Sequence, residues 1–140
     1  MDTKINECLL QFLYGFEITG DLQAPEDVKI PMKLLLLSKT KVEKARAYAM
    51  FICAKLEIID EDIKNSLNDY EFDRVSKIDL CILRMGFFLI DEGKSEIKNI
   101  INESIRLSKK FSTKEASKFV HAILDEKVKN ACQREQTISN

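Results

Sequence analysis

Apolar residues recur along the chain with a period near 3.6, the spacing that lines one face of an α-helix. Ile5, Cys8, Leu9, Phe12, Leu13 and Phe16 predict a first helix, with Gly15 and Gly20 marking its end. Residues 24–31 carry both Pro25 and Pro31 and read as a connection, and a short helix is expected over 32–37. Thr40-Lys41-Val42-Glu43 has the form of a capping box, which would open a helix through Ala45, Ala49, Ile52, Cys53 and Leu56. Asp60 is placed to cap the next helix, whose inward face uses Ile63 and Leu67.

The pattern strengthens in the second half. A helix over 72–90 would turn Val75, Ile78, Ile82, Met85, Phe88 and Leu89 inward, and Gly93 would stop it. Ile97, Ile100, Ile101, Ile105 and Ser108 share the face of a following helix. Ser112-Thr113-Lys114-Glu115 reads as a second capping box, opening a long helix that buries Ala116, Phe119, Val120, Ile123, Leu124 and Val128. The sequence from about Gln133 is polar. The expectation is an all-α protein of about seven helices, forming two packed antiparallel helical subdomains. One domain would span 1–135, with a flexible polar tail at 136–140.

Composition narrows the class. The chain has 140 residues with only 4 Gly and 2 Pro, against linker-like and turn-rich all-β constructions. Its charge is -1, which excludes a globally basic nucleic-acid binder but leaves a local basic patch open. Cys8, Cys53, Cys81 and Cys132 form no CxxC pair and are expected as four small buried thiols of a reducing compartment. Leu34–Leu37, the longest aliphatic run, is too short for a membrane span. The start also lacks a signal-peptide pattern, so a cytoplasmic location is expected.

The residues do not suggest an enzyme. Walker A, GxGxxG, HExxH and GxSxG patterns are missing, and His121 is the one histidine. No metal site or cofactor is indicated, because the acidic clusters at Asp60-Glu61-Asp62 and Asp91-Glu92 read as helix-end or solvated charges.

Charge placement is more informative. Residues 1–70 hold 9 basic and 12 acidic side chains, a net of -3, whereas 71–140 hold 13 and 11, a net of +2. Lys98, Arg106, Lys109, Lys110, Lys114 and Lys118 concentrate the positive charge late, with Phe111 and Phe119 nearby. Such a zone can engage phosphates and stack unpaired bases. It can equally be two core phenylalanines and a solvated rim of lysines. On the residues alone, this is an all-helical domain suited to binding rather than catalysis.

Three blocks in the second half add a resemblance: Ile78-Asp79-Leu80-Cys81-Ile82-Leu83-Arg84-Met85, the run from Ile100 to Phe111 containing Asn102-Glu103, and Ser117-Lys118-Phe119-Val120-His121-Ala122-Ile123-Leu124-Asp125. In this order and spacing, together with Cys8 to Tyr14 and Ile59-Asp60 with Ile63, the chain resembles the NusB family of transcription antitermination factors. The resemblance covers most of the chain. It implies a single all-α domain of two helical subdomains and no catalysis. It also implies pairing with the small-subunit ribosomal protein known as NusE. The pair would recognise boxA-type single-stranded RNA and join RNA polymerase and other Nus factors. Monomer and homodimer both stay open.

The same resemblance carries roles onto residues. Lys118 and Phe119 match the Lys-Phe pair of the family's C-terminal signature, implying phosphate contact and contact or support of the RNA. Glu115 matches an acidic position of that surface and also completes the capping box. Lys110 and Lys114 extend the basic face. Lys4 is the sole basic residue of 1–21. Tyr14 is either a base-stacking phenol or a half-buried packing residue. Asn102, Glu103 and Arg106 read as a partner or local ion-pair surface, and Arg84 as either an internal ion pair or a partner contact.

Two departures follow from the resemblance. The family often begins with an arginine-rich stretch, whereas Asp2, Glu7, Glu17 and Asp21 make residues 1–21 net -3. Intrinsic RNA affinity should be low, dependent on the partner and shallow in salt response. The family's Asn-Gly after Phe-Val is His121-Ala122 here, which alters any close approach that glycine allowed. Two further readings are a divergent member without boxA recognition and a domain related to those attached to RNA methyltransferases. Against the last reading, 140 residues are expected to leave no room for the methyltransferase catalytic domain.

Overall fold

The computed structural model describes residues 2–20 and 39–139, the last six of these by backbone alone. Among the described residues there are six α-helices, one 3-10 turn and no strand. The chain divides into two compact units, Met1–Lys55 and Leu56–Asn140. The connection expected at 24–31 and the short helix expected at 32–37 lie outside the described residues.

The first unit packs α1 (Thr3–Thr19) against α2 (Lys39–Ala54). Asp2 caps α1, its Oδ1 accepting the Lys4 N–H at 2.8 Å and the Ile5 N–H at 3.3 Å. Gly20 closes α1 in the left-handed conformation at φ 74°, which costs glycine little; Gly15 lies inside the helix. Cys8, Leu9, Phe12 and Leu13 are buried, as are Ala45, Ala49 and Ile52 of α2. The small alanines let the helices approach closely. Thr40 stands inside α2 rather than before it, so the Thr40–Glu43 pattern does not cap that helix. Glu43 instead accepts from Arg46 at 2.8 Å.

In the second unit, α3 (Leu56–Ser66), α4 (Lys77–Glu92), α5 (Ile97–Phe111) and α6 (Lys114–Ser139) share one core. Helix α4 is buried from Asp79 through Leu89 because α3, α5 and α6 all pack on it. The helix expected over 72–90 is broken at its start: Phe72–Arg74 is a 3-10 turn, and Ser76 begins α4. Ser76 Oγ accepts the Asp79 N–H at 3.2 Å and donates to Asp79 Oδ2 at 2.7 Å, which favours starting the helix there. Gly93 ends it at φ 72°, as expected.

Several phases differ in detail. Asp60 is internal to α3 and serves as an ion-pair partner rather than a cap. The buried line of α5 is Ile100, Ser104, Leu107 and Ser108, leaving Ile97 exposed and Ile101 and Ile105 half-buried. Helix α6 is capped by Thr113, whose Oγ1 accepts the Ala116 N–H at 2.9 Å, so Glu115 does not complete a box. It buries Val120, Ile123 and Leu124, with Ala116, Phe119 and Val128 half-buried, and it remains helical through Ser139 past the expected start of the tail. Of the four thiols, Cys8 and Cys81 are buried, Cys53 is half-buried and Cys132 is exposed.

Two cations lie inside this unit. Arg84, 5% exposed, places Nε and Nη2 each 2.8 Å from the two carboxylate oxygens of Asp60. Lys127, 2% exposed, binds Asp62 and lies 2.7 Å from Asp91, with its ammonium 5.5 Å from the centre of the Phe87 ring.

Candidate nucleic-acid interface

Four of the residues predicted to meet RNA stand together at the start of α6. Lys114 and Glu115 form its first turn, and Lys118 and Phe119 lie one turn on. Lys114, Glu115 and Lys118 are exposed, and Phe119 is half-buried. The geometry follows from the Thr113 cap: a helix started there turns Ser117 and Val120 into the core and leaves the lysines outside. Lys118 lies 4.0 Å from Glu115, a well-solvated pair that restrains the ammonium little. Lys110 closes α5 just before the corner, its ammonium 5.4 Å from the centre of the Phe111 ring.

Phe119 has a partner that sequence reasoning missed. Tyr70 packs on it with ring centroids 4.9 Å apart and planes tilted by 46°. Tyr70 follows a turn in which Asn68 adopts φ 57°, a left-handed conformation that asparagine tolerates better than most residues. The Tyr70 N–H then donates to the Leu67 carbonyl at 3.1 Å. The signal in the sequence was slight, an Asn-Asp pair ahead of an aromatic residue.

The remaining predicted residues are dispersed. Lys4 and Tyr14 belong to α1 in the first unit, Lys4 exposed and Tyr14 39% exposed. Asn102 is exposed on α5, while Glu103 and Arg106 form a local pair, with Arg106 Nε 2.8 Å from Glu103 Oε1. Arg84 does not face outward. Both arms of its guanidinium are held by Asp60, so the internal ion pair is the reading the structure supports and the surface contact is not.

Electrostatics separates two faces of this unit. A cavity of about 710 Å³ is lined by Glu57, Ile58, Asp60, Glu61, Asp62, Lys64, Asn65 and Asp91, five carboxylates against one surface lysine. That lining disfavours a polyanion, whereas the α5–α6 corner attracts one. His121 lies 3.4 Å from Asp125 on the exposed side of α6, and Ala122 is exposed. The tight approach to α6 is made instead by Gly86 of α4. A Cβ there would stand 2.7 Å from Leu124 Cδ2 and 3.4 Å from Ser104 Oγ. In the first unit, hydrogen bonding from Lys41 and then from the Lys4 N–H holds the Asp2 carboxyl below its usual value, and burial pushes the Cys8 thiol up. Among the described residues no three His, Cys, Asp or Glu side chains are arranged to hold a metal ion. No described helix is long and apolar enough to cross a membrane.

A capped α6 with a Lys-Phe pair on its exposed edge, in an all-helical chain with two units, invites comparison with known proteins. The NusB family profile matches residues 3–129. The chain belongs to the NusB family. It is 31% identical over 129 residues to the transcription antitermination protein NusB of Methylacidiphilum infernorum, covering 91% of this chain and 90% of that one. It is also 31% identical over 138 residues to the NusB of a Nitratiruptor species, covering 94% and 96%. The solved T. maritima NusB superposes with a TM-score of 0.77 at 27% identity, over 92% of each chain. A NusB crystallised with NusE and double-stranded RNA shares the fold, with a TM-score of 0.77 at 21% identity over 91% of this chain and 96% of that one. NusB proteins are transcription antitermination factors, not enzymes.

Proposed function

We propose that this NusB-family chain is an RNA- and protein-binding adaptor. It pairs with the small ribosomal protein NusE, reads boxA-type single-stranded RNA on nascent transcripts, and joins RNA polymerase and other Nus factors in the cytoplasm. The observation that carries the RNA part is the α6 edge, where exposed Lys114 and Lys118 precede the half-buried Phe119 on one helix. Lysines there neutralise phosphates while an aromatic face meets an unpaired base. The same fold in a NusB bound to NusE and RNA supports the choice of partners.

The second protein has a physical reason. Helix α1 offers Lys4 as its one basic side chain beside Asp2, Glu7 and Glu17, so this chain alone supplies few phosphate contacts. Joining a partner's surface to a modest site multiplies affinity through effective concentration.

The test is titration of a boxA-type RNA and a scrambled control, each with and without NusE, at two salt concentrations. Tight binding confined to the boxA-type RNA with both proteins present is the expected result. A protein pair formed without RNA preference would instead favour a divergent member without boxA recognition, the reading that the acidic α1 supports. Failure to bind either partner would remove the functional assignment and leave the fold.

A further inference from the structure

Tyr70 is not part of the Lys-Phe signature, yet the fold delivers its ring to Phe119. The chain leaves α3 at Ser66, reverses through Asn68, and brings the Tyr70 ring to 4.9 Å from the Phe119 ring. Tyr70 keeps 47% of its surface in solvent, and it is the more exposed member of the pair. The two ring planes are tilted by 46°, and Lys118, the residue before Phe119, is exposed.

We infer that Tyr70 is a base-stacking residue of the RNA surface, forming with Phe119 a two-ring platform for one unpaired nucleobase. This rests on the RNA-binding reading above and assigns it a residue on a different element. The surroundings define what the platform takes. Asp69, Glu71 and Asp73 are exposed around Tyr70 and repel phosphate, so the backbone of the RNA runs on the Lys114 and Lys118 side and only a base reaches the ring. Stacking of this kind tolerates any base and releases no counterions. The phenol and the lysine therefore contribute through separable physics.

The experiment is binding of the boxA-type RNA to the full chain in the presence of NusE, measured across a salt series for Tyr70→Ala, Tyr70→Leu, Tyr70→Phe and Lys118→Gln, each first checked for helical content. Tyr70→Ala and Tyr70→Leu should lose about fivefold or more in affinity with an unchanged salt slope, and Tyr70→Phe should stay within about twofold. Lys118→Gln should weaken binding and flatten the slope by about 0.7. The chain has no tryptophan. Tyr70→Trp therefore provides a single tryptophan in this chain whose emission a stacked base should quench, a readout that a ring merely buttressing Phe119 would not give. RNA bound normally by the Ala and Leu variants, or an emission that RNA leaves unchanged, overturns the role of Tyr70 while the wider assignment stands. No RNA binding by the unsubstituted chain with NusE overturns both.

Discussion

Lys127→Met removes an ammonium from a buried position and keeps a side chain of similar length, so the change is chiefly one of charge. Its two partners respond differently. Asp91 is 55% exposed and returns to water, where a lost surface pair costs about 0–1 kcal/mol. Asp62, at the cavity wall but only 11% exposed, is the partner that loses most. Breaking a buried pair by removing its cation leaves an uncompensated carboxylate, at about 3–5 kcal/mol. The variant should therefore lose about 3–5 kcal/mol at pH 7. Asp62→Asn combined with Lys127→Met removes the orphaned charge and should recover most of the loss. Urea unfolding followed by far-UV circular dichroism at pH 7 measures both effects. A loss below about 1 kcal/mol, or no recovery in the double variant, would refute the reasoning.

Three further outcomes are expected. Gly86→Ala should gain about 1 kcal/mol in helix propensity and lose more than that against the fully buried Leu124, for a net destabilisation of about 1 kcal/mol; a higher melting temperature would show that the core yields. The lowered Asp2 carboxyl contributes stability above its ordinary value of 3.8, lost as pH falls through the depressed folded value; Asp2→Ala should thus lower the melting temperature at pH 7 and matter much less near pH 2. Thiol labelling of the native protein should modify Cys132 first and spare Cys8 and Cys81 until unfolding, with the raised Cys8 thiol reinforcing its protection; mass spectrometry of the labelled peptides reads the order.

The helices were legible because their apolar positions repeat, and Leu9, Phe12, Leu13, Ile63, Leu124 and the Gly93 stop all fall where periodicity puts them. Boundaries were less legible. Asp60 and Thr40 have capping side chains, but composition does not reveal that one is drawn to Arg84 and the other lies within a helix. Buried charge was harder still. Lys127 reads as a solvated lysine until Asp62 and Asp91, far away in sequence, are seen beside it. The candidate RNA surface was half visible. Lys114, Lys118 and Phe119 follow from helical spacing and resemblance, whereas Tyr70 meets Phe119 through tertiary contact alone.

The buried clasps also order events during synthesis. Lys127 lies 65 residues after Asp62 and 36 after Asp91, so both carboxylates leave the ribosome well before the cation that neutralises them. Arg84 follows Asp60 by only 24 residues and can pair with it much earlier. A nascent chain can therefore dock α3 on α4 while its last helix is still being made, but the core of this unit closes only after residue 127 has emerged. A chain cut short before residue 127 would lack the ammonium that neutralises Asp62, so that carboxylate would be met by water instead of by the finished core.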